Sequence, residues 1–161
     1  MELEARVDPD AAEPEGFQDP LEGTHYRALR RLGKGAMGEV FEAEHRGLER
    51  LVVVKLLHRK LVGNADLVAR MVVESKAPAK LDSPFLVKVT DSGLTKDGRP
   101  YYVMERLDGR TLQDELREAV ALPVPDAIAI ARQLLLGLSV VHEAGLVHRD
   151  VKPANVFCSR T

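Results

Sequence analysis

The chain has 161 residues, of which 45% are apolar and 30% are charged, and its net charge at pH 7 is −2. This length allows one domain with a core, and the charge gives no electrostatic reason to expect nucleic acid or anionic membrane as a partner. The one cysteine, Cys158, excludes an intramolecular disulfide, and we interpret it as a small buried hydrophobe rather than a catalytic thiol.

The first 24 residues are acidic, contain three prolines and have few large apolar side chains. Such a segment cannot bury enough surface to offset its ordering entropy, so residues 1–24 are predicted to be a disordered acidic tail. The N-terminus has no basic start followed by an apolar core, and no apolar run reaches the length of about 18 residues that a membrane helix needs. We therefore expect a cytoplasmic chain without a membrane segment, or the cytoplasmic part of a longer protein.

The next part of the chain alternates short apolar segments with turn residues and contains one segment with helical spacing. This pattern predicts five strands and one helix, with a glycine-rich turn between the first two strands. The strands are predicted at residues 26–32, 39–45, 51–57, 86–93 and 100–105, and the helix at 65–81.

The last part of the chain is predicted to be helical. Thr111 is a suitable N-cap for a short helix over Leu112–Ala119. Pro125-Asp126 is predicted to open a long helix over residues 127–144, which ends at Gly145. The fold is therefore predicted to be α+β, with a sheet-containing lobe followed by a helical lobe.

The glycines of the Gly33-x-Gly35-x-x-Gly38 motif suit two kinds of phosphate site. A dinucleotide-binding protein requires a helix directly after the glycines, and a Walker A loop ends in Gly-Lys-Ser/Thr. Here the glycines are followed by alternating glutamates and apolar residues, which indicate a strand. The motif therefore predicts a hairpin that folds over phosphates with bare backbone N–H groups, with Val40 above a base.

Lys55 ends the apolar strand that follows this hairpin. A lysine in such a strand often extends to solvent at a sheet edge, but its place after the glycine hairpin favours a contact with phosphate. Glu74 lies on the following predicted helix, either on a solvated face or as the counter-charge that a buried lysine needs. We favour the pairing of Lys55 with Glu74.

The segment His148-Arg149-Asp150-Val151-Lys152-Pro153-Ala154-Asn155 resembles the catalytic loop of eukaryotic-like serine/threonine protein kinases, in the form common in bacteria. The glycine motif, Lys55, Glu74 and Met104-Glu105 match the same family in the same order. The resemblance covers about residues 25–161. It implies a protein-kinase-like fold with a five-stranded antiparallel N-lobe at 25–105, then a hinge and the first part of a helical C-lobe at 106–161.

The resemblance also implies ATP and Mg²⁺ as cofactors and the transfer of the γ-phosphoryl group of ATP to Ser or Thr of a protein substrate. Asp150 would accept the proton of the substrate hydroxyl, Lys152 would steady the γ-phosphate, and Asn155 would bind magnesium. Lys55, paired with Glu74, would hold the α- and β-phosphates. Met104 would lie beside the adenine and Phe157 beneath it, while His148 would be structural. The other implied ATP-binding residues are Leu32, Gly33, Gly35, Gly38, Val40, Val53, Glu105 and Leu107.

Three features differ from the family pattern. Val53 occupies a position where an alanine is usual, and Pro78 should kink the predicted helix or end it early. The 161 residues contain no Asp-Phe-Gly, the motif that supplies the main magnesium ligand. We therefore expect a catalytic domain truncated after its catalytic loop, which alone is inactive. The alternative is a non-catalytic nucleotide-binding or scaffolding module.

The long helix is apolar nearly all round between residues 127 and 141. Such a helix belongs inside a protein, and in the family further helices cover it. In the chain alone it is expected to be a surface for self-association. The histidines show no spacing typical of metal ligands, so no metal site made only of protein ligands is predicted.

Overall fold

The structure is a computed structural model of the chain. It describes residues 19–76, 81–119 and 121–159, apart from the side chains of Arg70 and of residues 72–76. The predictions for residues 1–18 and for Pro78 lie outside this range. The described residues form two compact units, one of residues 19–76 with 88–106 and the other of residues 81–87 with 107–159. In this division residues 81–87 group with the second unit, whereas the predicted N-lobe spans residues 25–105.

The first unit contains the predicted five-stranded antiparallel sheet and one α-helix, which confirms the α+β fold. The strand order is β1-β2-β3-β5-β4, so β1 and β4 are the two edges. The fourth strand begins three residues later than predicted, and Leu81 is not helical although the predicted helix included it. The elements are β1 Tyr26–Lys34, β2 Gly38–His45, β3 Arg50–Leu57, a 3-10 helix Arg59–Leu61, α1 Ala65–Lys76, β4 Val89–Leu94 and β5 Pro100–Glu105.

The larger core cluster of the first unit lies on one face of this sheet, and a smaller buried cluster of Leu57, Met71 and Tyr102 lies on the other face. Strand side chains alternate between faces, so Val52, Val54 and Leu56 of β3 all point into the core. The Tyr26 hydroxyl on β1 donates a hydrogen bond of 2.7 Å to Asp91 Oδ2 on β4. This bond joins the two edge strands, which shows that the sheet curls around its core.

Residues 19–24 are ordered in the structure, so the tail predicted over residues 1–24 was drawn too long at this end. The Leu21 side chain is 0% exposed and belongs to the core of the first unit. Asp19 Oδ1 accepts hydrogen bonds from the N–H groups of Leu21 at 3.0 Å and Ala28 at 3.2 Å. Arg99 donates to the Pro20 carbonyl at 3.1 Å. Leu21 and Asp19 thus attach this segment to the first unit, although its acidic composition predicts a disordered tail.

The second unit contains two helices and a small two-stranded sheet. The short helix has the predicted bounds, and the long helix begins at Val124, three residues earlier than predicted. The backbone of Pro123 is extended and Pro125 lies in the first turn, where proline needs no hydrogen-bond donor, so Asp126 is not the cap. The elements are β6 Gly109–Thr111, α2 Leu112–Ala119, α3 Val124–Glu143, a 3-10 helix Pro153–Asn155 and β7 Phe157–Ser159.

The predicted end of the long helix is confirmed. Gly145 has φ +74°, a conformation that glycine adopts without a steric penalty. Its N–H donates to the His142 carbonyl at 2.9 Å, and the Leu146 N–H donates to the Val141 carbonyl at 3.1 Å. These two bonds form a Schellman motif, which satisfies carbonyls that a helix end leaves open.

Helix α3 is the one helix of the described residues that is long and apolar enough to cross a membrane. It has 20 residues and a mean hydropathy of 1.5. The sequence analysis predicts no segment of this length and hydropathy, so that prediction is wrong on these two criteria. The core helix of a soluble protein meets the same two criteria. Within the second unit, Gly137 and Val141 of this helix are buried, and Gly137 packs against Phe85.

Candidate functional site

The glycine-rich motif forms the turn of the β1–β2 hairpin, as predicted. Leu32 and Gly33 lie in β1, and the Gly35 N–H closes the turn with a 2.8 Å hydrogen bond to the Gly38 carbonyl. A Cβ atom on Gly38 would lie 2.2 Å from the Leu56 carbonyl oxygen of β3. Gly38 is therefore required by the close approach of two strands, a reason that the sequence motif did not reveal.

His58 fixes this hairpin turn, a role that the sequence analysis did not assign. Its ring Nε2 lies 2.7 Å from the Gly35 carbonyl oxygen, and its backbone N–H donates to the Met37 carbonyl at 3.0 Å. The Glu39 carboxylate lies 3.9 Å from the His58 Nδ1. His58 directly follows β3, so it links the turn to the strand that carries Lys55. No sequence motif marks this contact, because 23 residues separate His58 from Gly35.

The register of the sheet places several predicted nucleotide-binding residues on one face. Val40 is opposite Lys55 in the β2–β3 pair, and Val53 is opposite Met104 in the β3–β5 pair. Residues directly opposite each other share a face, and alternate residues of one strand also share it. These four side chains therefore project from the face opposite the larger core cluster.

The Lys55 ammonium group lies 5.6 Å from the centroid of the Tyr102 ring, within the range of a cation–π interaction. Met104 packs against the buried cluster of Leu57, Tyr102 and Met71, of which Met71 lies on helix α1. Glu74 lies within the backbone range of α1, but its side chain is outside the described residues. The pairing of Lys55 with Glu74 therefore stays a prediction.

The end of β5 is held by contacts on both sides of the chain. The Glu105 N–H donates to the Lys88 carbonyl at 3.0 Å, and the Glu105 carboxylate accepts from the Lys88 N–H at 2.8 Å. The next residue, Arg106, donates from Nε to Glu42 Oε1 at 2.8 Å. The predicted hinge thus begins from a fixed backbone, and the chain passes from the first unit to the second at Leu107.

Glu42 is a buried carboxylate that the sequence analysis did not single out. It is 9% exposed and accepts a second hydrogen bond, of 2.7 Å, from the Nε of Arg30 on β1. Burial acts to raise the pKa of Glu42, but the hydrogen bonds from Arg30 and Arg106 outweigh this effect and lower the pKa. Glu42 is therefore ionised at neutral pH and bridges two guanidinium groups.

In the second unit, the predicted catalytic loop brings three of its residues together. The Asn155 Nδ2 donates to both the carbonyl oxygen and the Oδ2 of Asp150, each at 2.8 Å. The Lys152 ammonium group lies 3.1 Å from the same Oδ2. The hydrogen bond from Lys152, and with it that from Asn155, lowers the pKa of Asp150 despite partial burial. Asp150 is thus an ionised, oriented carboxylate whose side chain is 60% exposed.

The backbone before this carboxylate is unusual. Arg149 has φ +63°, in the left-handed region that costs a non-glycine residue about 1–2 kcal/mol. The Asp150 N–H donates to His148 Nδ1 at 3.3 Å, which is a contact within the loop. Such strain is stored where the surrounding structure requires one geometry.

Phe157 and Cys158 lie in β7, a strand that was not predicted. Phe157 is opposite Thr111 of β6, and the Leu112 N–H donates to the Val156 carbonyl at 2.7 Å. Burial raises the pKa of the Cys158 thiol, which keeps the thiol protonated at neutral pH. Within the described ranges, no group of three or more His, Cys, Asp or Glu residues could hold a metal ion.

Comparison with known proteins gives a consistent picture. The protein kinase domain family matches residues 26–161. The chain is 40% identical over 135 residues to a probable serine/threonine-protein kinase of Clostridium perfringens, covering 84% of this chain and 20% of that protein. It is 37% identical over 149 residues to the serine/threonine-protein kinase PknL of Mycobacterium tuberculosis, covering 89% of this chain and 37% of that protein.

Solved structures of the PknI kinase domain of Mycobacterium tuberculosis have the same fold. One of them superposes with a TM-score of 0.74 at 28% identity, covering 92% of this chain and 60% of that chain. A double mutant of the same domain has a TM-score of 0.76 at 27% identity, covering 94% of this chain and 58% of that chain. The chain therefore spans between a fifth and two fifths of these curated relatives and about three fifths of the solved domains.

Proposed function

Since this chain belongs to the protein kinase domain family and is similar to bacterial serine/threonine kinases, we propose that it binds ATP with Mg²⁺ and carries groups that transfer the γ-phosphoryl group to Ser or Thr of a protein. A cytoplasmic location and a protein substrate are part of the same proposal. The observation that carries the proposal is the geometry of Asp150, Lys152 and Asn155.

Phosphoryl transfer passes through a loose transition state, so the protein needs to orient the attacking hydroxyl rather than activate it strongly. An ionised carboxylate fixed by two donors suits that role. Asp150 has this form, because Lys152 and Asn155 both contact its Oδ2. In the proposal Asp150 accepts the proton of the substrate hydroxyl, and Lys152 neutralises charge on the phosphoryl group.

Asn155 fits the proposed metal contact. Its amide nitrogen is used in both bonds to Asp150, which leaves an amide oxygen as the ligand atom, and Mg²⁺ prefers oxygen ligands. A bound Mg²⁺ ion neutralises charge on the phosphates. In the first unit, Lys55 would contact the α- and β-phosphates, and the face that carries Val40, Val53 and Met104 would contact the adenine.

Nucleotide binding tests the proposal with the 161 residues themselves. We expect the chain to bind ATP and adenosine, and Lys55→Met to weaken ATP binding about tenfold to a hundredfold, since a charge-assisted contact contributes about 1.5–3 kcal/mol. Adenosine binding should change little, because Lys55 is proposed to touch phosphate. Isothermal titration calorimetry measures both affinities.

Lys60→Met is the matched control, because Lys60 is exposed in the 3-10 helix that follows β3. It removes the same charge in the same unit, and neither affinity should change. If Lys55→Met left ATP binding unchanged, or weakened adenosine binding equally, the proposed role of Lys55 would be wrong.

A further inference from the structure

Three arginine–glutamate pairs cross the β1–β2 hairpin. Arg27 contacts Glu44 at 2.7 Å, and Arg31 contacts Glu39 at 3.0 Å. The middle pair, Arg30 with Glu42, differs in two ways, because its carboxylate is buried and reaches Arg106 at the start of the predicted hinge. Among these three carboxylates, within the part of the chain that the structure describes, Glu42 alone bonds two guanidinium groups.

The position of Glu42 connects this ion cluster with the proposed adenine site. Glu42 is opposite Val53 in the β2–β3 register and two residues beyond Val40 on its own strand. It therefore projects from the same face as the two valines that are proposed to contact the base. Its bond to Arg106 joins that face to the backbone directly after Glu105, across 64 residues of sequence.

This ion cluster differs from an ordinary surface ion pair in the burial of its carboxylate and in its number of charged donors. Exposed ion pairs contribute little, because water and salt screen them. A buried carboxylate with two charged donors is different, since removing its charge leaves two guanidinium groups facing each other across a neutral side chain. The low pKa of Glu42 agrees with a carboxylate that stays charged in this place.

We propose that Glu42 is a positioning residue for adenine recognition, which holds Arg106 and thereby sets the hinge backbone against the sheet face that receives the base. The inference rests on the proposed function and adds a residue outside the glycine motif, the lysine strand and the catalytic loop. It assigns to β2 the task of fixing a backbone that lies at the end of β5.

The test compares Glu42→Gln with Glu44→Gln. Both variants remove one carboxylate charge from β2, and both residues pair with an arginine of β1. We expect Glu42→Gln to weaken adenosine and ATP binding alike, by about tenfold, while Glu44→Gln changes either affinity by less than about twofold. Arg106→Gln should reproduce the loss, and the double variant should bind no more weakly than Glu42→Gln.

The pattern separates this inference from the proposed function, because Lys55→Met is expected to weaken ATP binding alone. If the parent chain binds both ligands and Glu42→Gln binds them equally well, the positioning role is wrong and the proposed function stands. A lower melting temperature of Glu42→Gln with unchanged adenosine affinity would also overturn it, since that is the result of a structural role.

A second measurement decides the matter without any nucleotide. The Glu105 N–H is hydrogen-bonded to the Lys88 carbonyl just before Arg106. If Glu42 holds the hinge, this amide should exchange its hydrogen faster in Glu42→Gln than in Glu44→Gln, as measured by NMR. Equal exchange in the two variants would refute the positioning role even if the parent chain bound no adenosine.

Discussion

Replacement of Leu21 by alanine should destabilise the first unit although the residue lies outside the matched domain, which begins at residue 26. Leu21 is 0% exposed and packs in the same cluster as Tyr26 and Tyr101. Truncation of a buried leucine costs about 2–5 kcal/mol, from lost burial and from the cavity that remains. The segment can partly collapse into that cavity, so we expect about 2–3 kcal/mol, a large share of the 5–15 kcal/mol that is typical of a domain.

The tyrosines make this loss measurable in one unit. The chain has no tryptophan and three tyrosines, Tyr26, Tyr101 and Tyr102, all of which lie in the first unit and are buried. Intrinsic fluorescence therefore reports the unfolding of that unit alone. With a urea slope of about 1–3 kcal/mol per molar, a loss of about 2–3 kcal/mol should lower the midpoint by roughly 0.7–3 M.

Leu48→Ala is the control, because Leu48 lies between β2 and β3 and is 70% exposed. It removes the same atoms and should change the stability by less than about 0.5 kcal/mol. If the two variants unfolded at the same urea concentration, residues 19–24 would not be part of the folding unit, and our account of the Asp19 and Leu21 contacts would be wrong.

Two further predictions concern Asp97, in the turn between β4 and β5, and His58, which directly follows β3. The pKa of Asp97 is lowered by hydrogen bonds from the Thr95 hydroxyl and from Arg59 and Arg99, despite partial burial. A carboxyl group whose pKa is lowered in the folded state stabilises the fold at pH values above its unfolded pKa of about 3.9. The stability difference between the parent chain and Asp97→Asn should therefore be constant near pH 6 and shrink below about pH 4. A difference in urea midpoints that does not change with pH would contradict this. His58→Phe removes the bond to the Gly35 carbonyl. In calorimetry this variant should bind ATP about twofold to tenfold more weakly and adenosine with unchanged affinity. An equal loss for both ligands would show that His58 supports the sheet rather than the turn.

The parts of the fold that follow from local pattern could be predicted from the sequence. The β1–β2 hairpin is indicated by the alternation after Gly38, and the end of α3 by Gly145, because each depends on residues close together in the chain. The contiguous motif around Asp150 marked Asp150, Lys152 and Asn155 as one candidate group, and the structure places Lys152 and Asn155 within hydrogen-bonding distance of Asp150, a contact that the motif alone did not predict.

The parts that depend on distant residues could not be predicted. The bond between Glu42 and Arg106 spans 64 residues. Both are residue types that also occur at exposed positions nearby, so residue type does not distinguish them. The pairing of β6 with β7 joins two three-residue strands across the whole second unit, too short for any periodic signal. Leu21 is one apolar residue among acids and prolines, so its burial is decided by the surface it meets and not by its neighbours in sequence.

The bond between Tyr26 and Asp91 has a consequence for how other proteins can approach the first unit. An open sheet edge offers backbone groups to which a foreign strand can add, a common route to peptide capture and to aggregation. Here the two edge strands are tied to each other, and the Ala28 N–H of β1 is already bonded to Asp19. Strand addition is therefore disfavoured at this point of β1, because the N–H group that a foreign strand would need already has a partner.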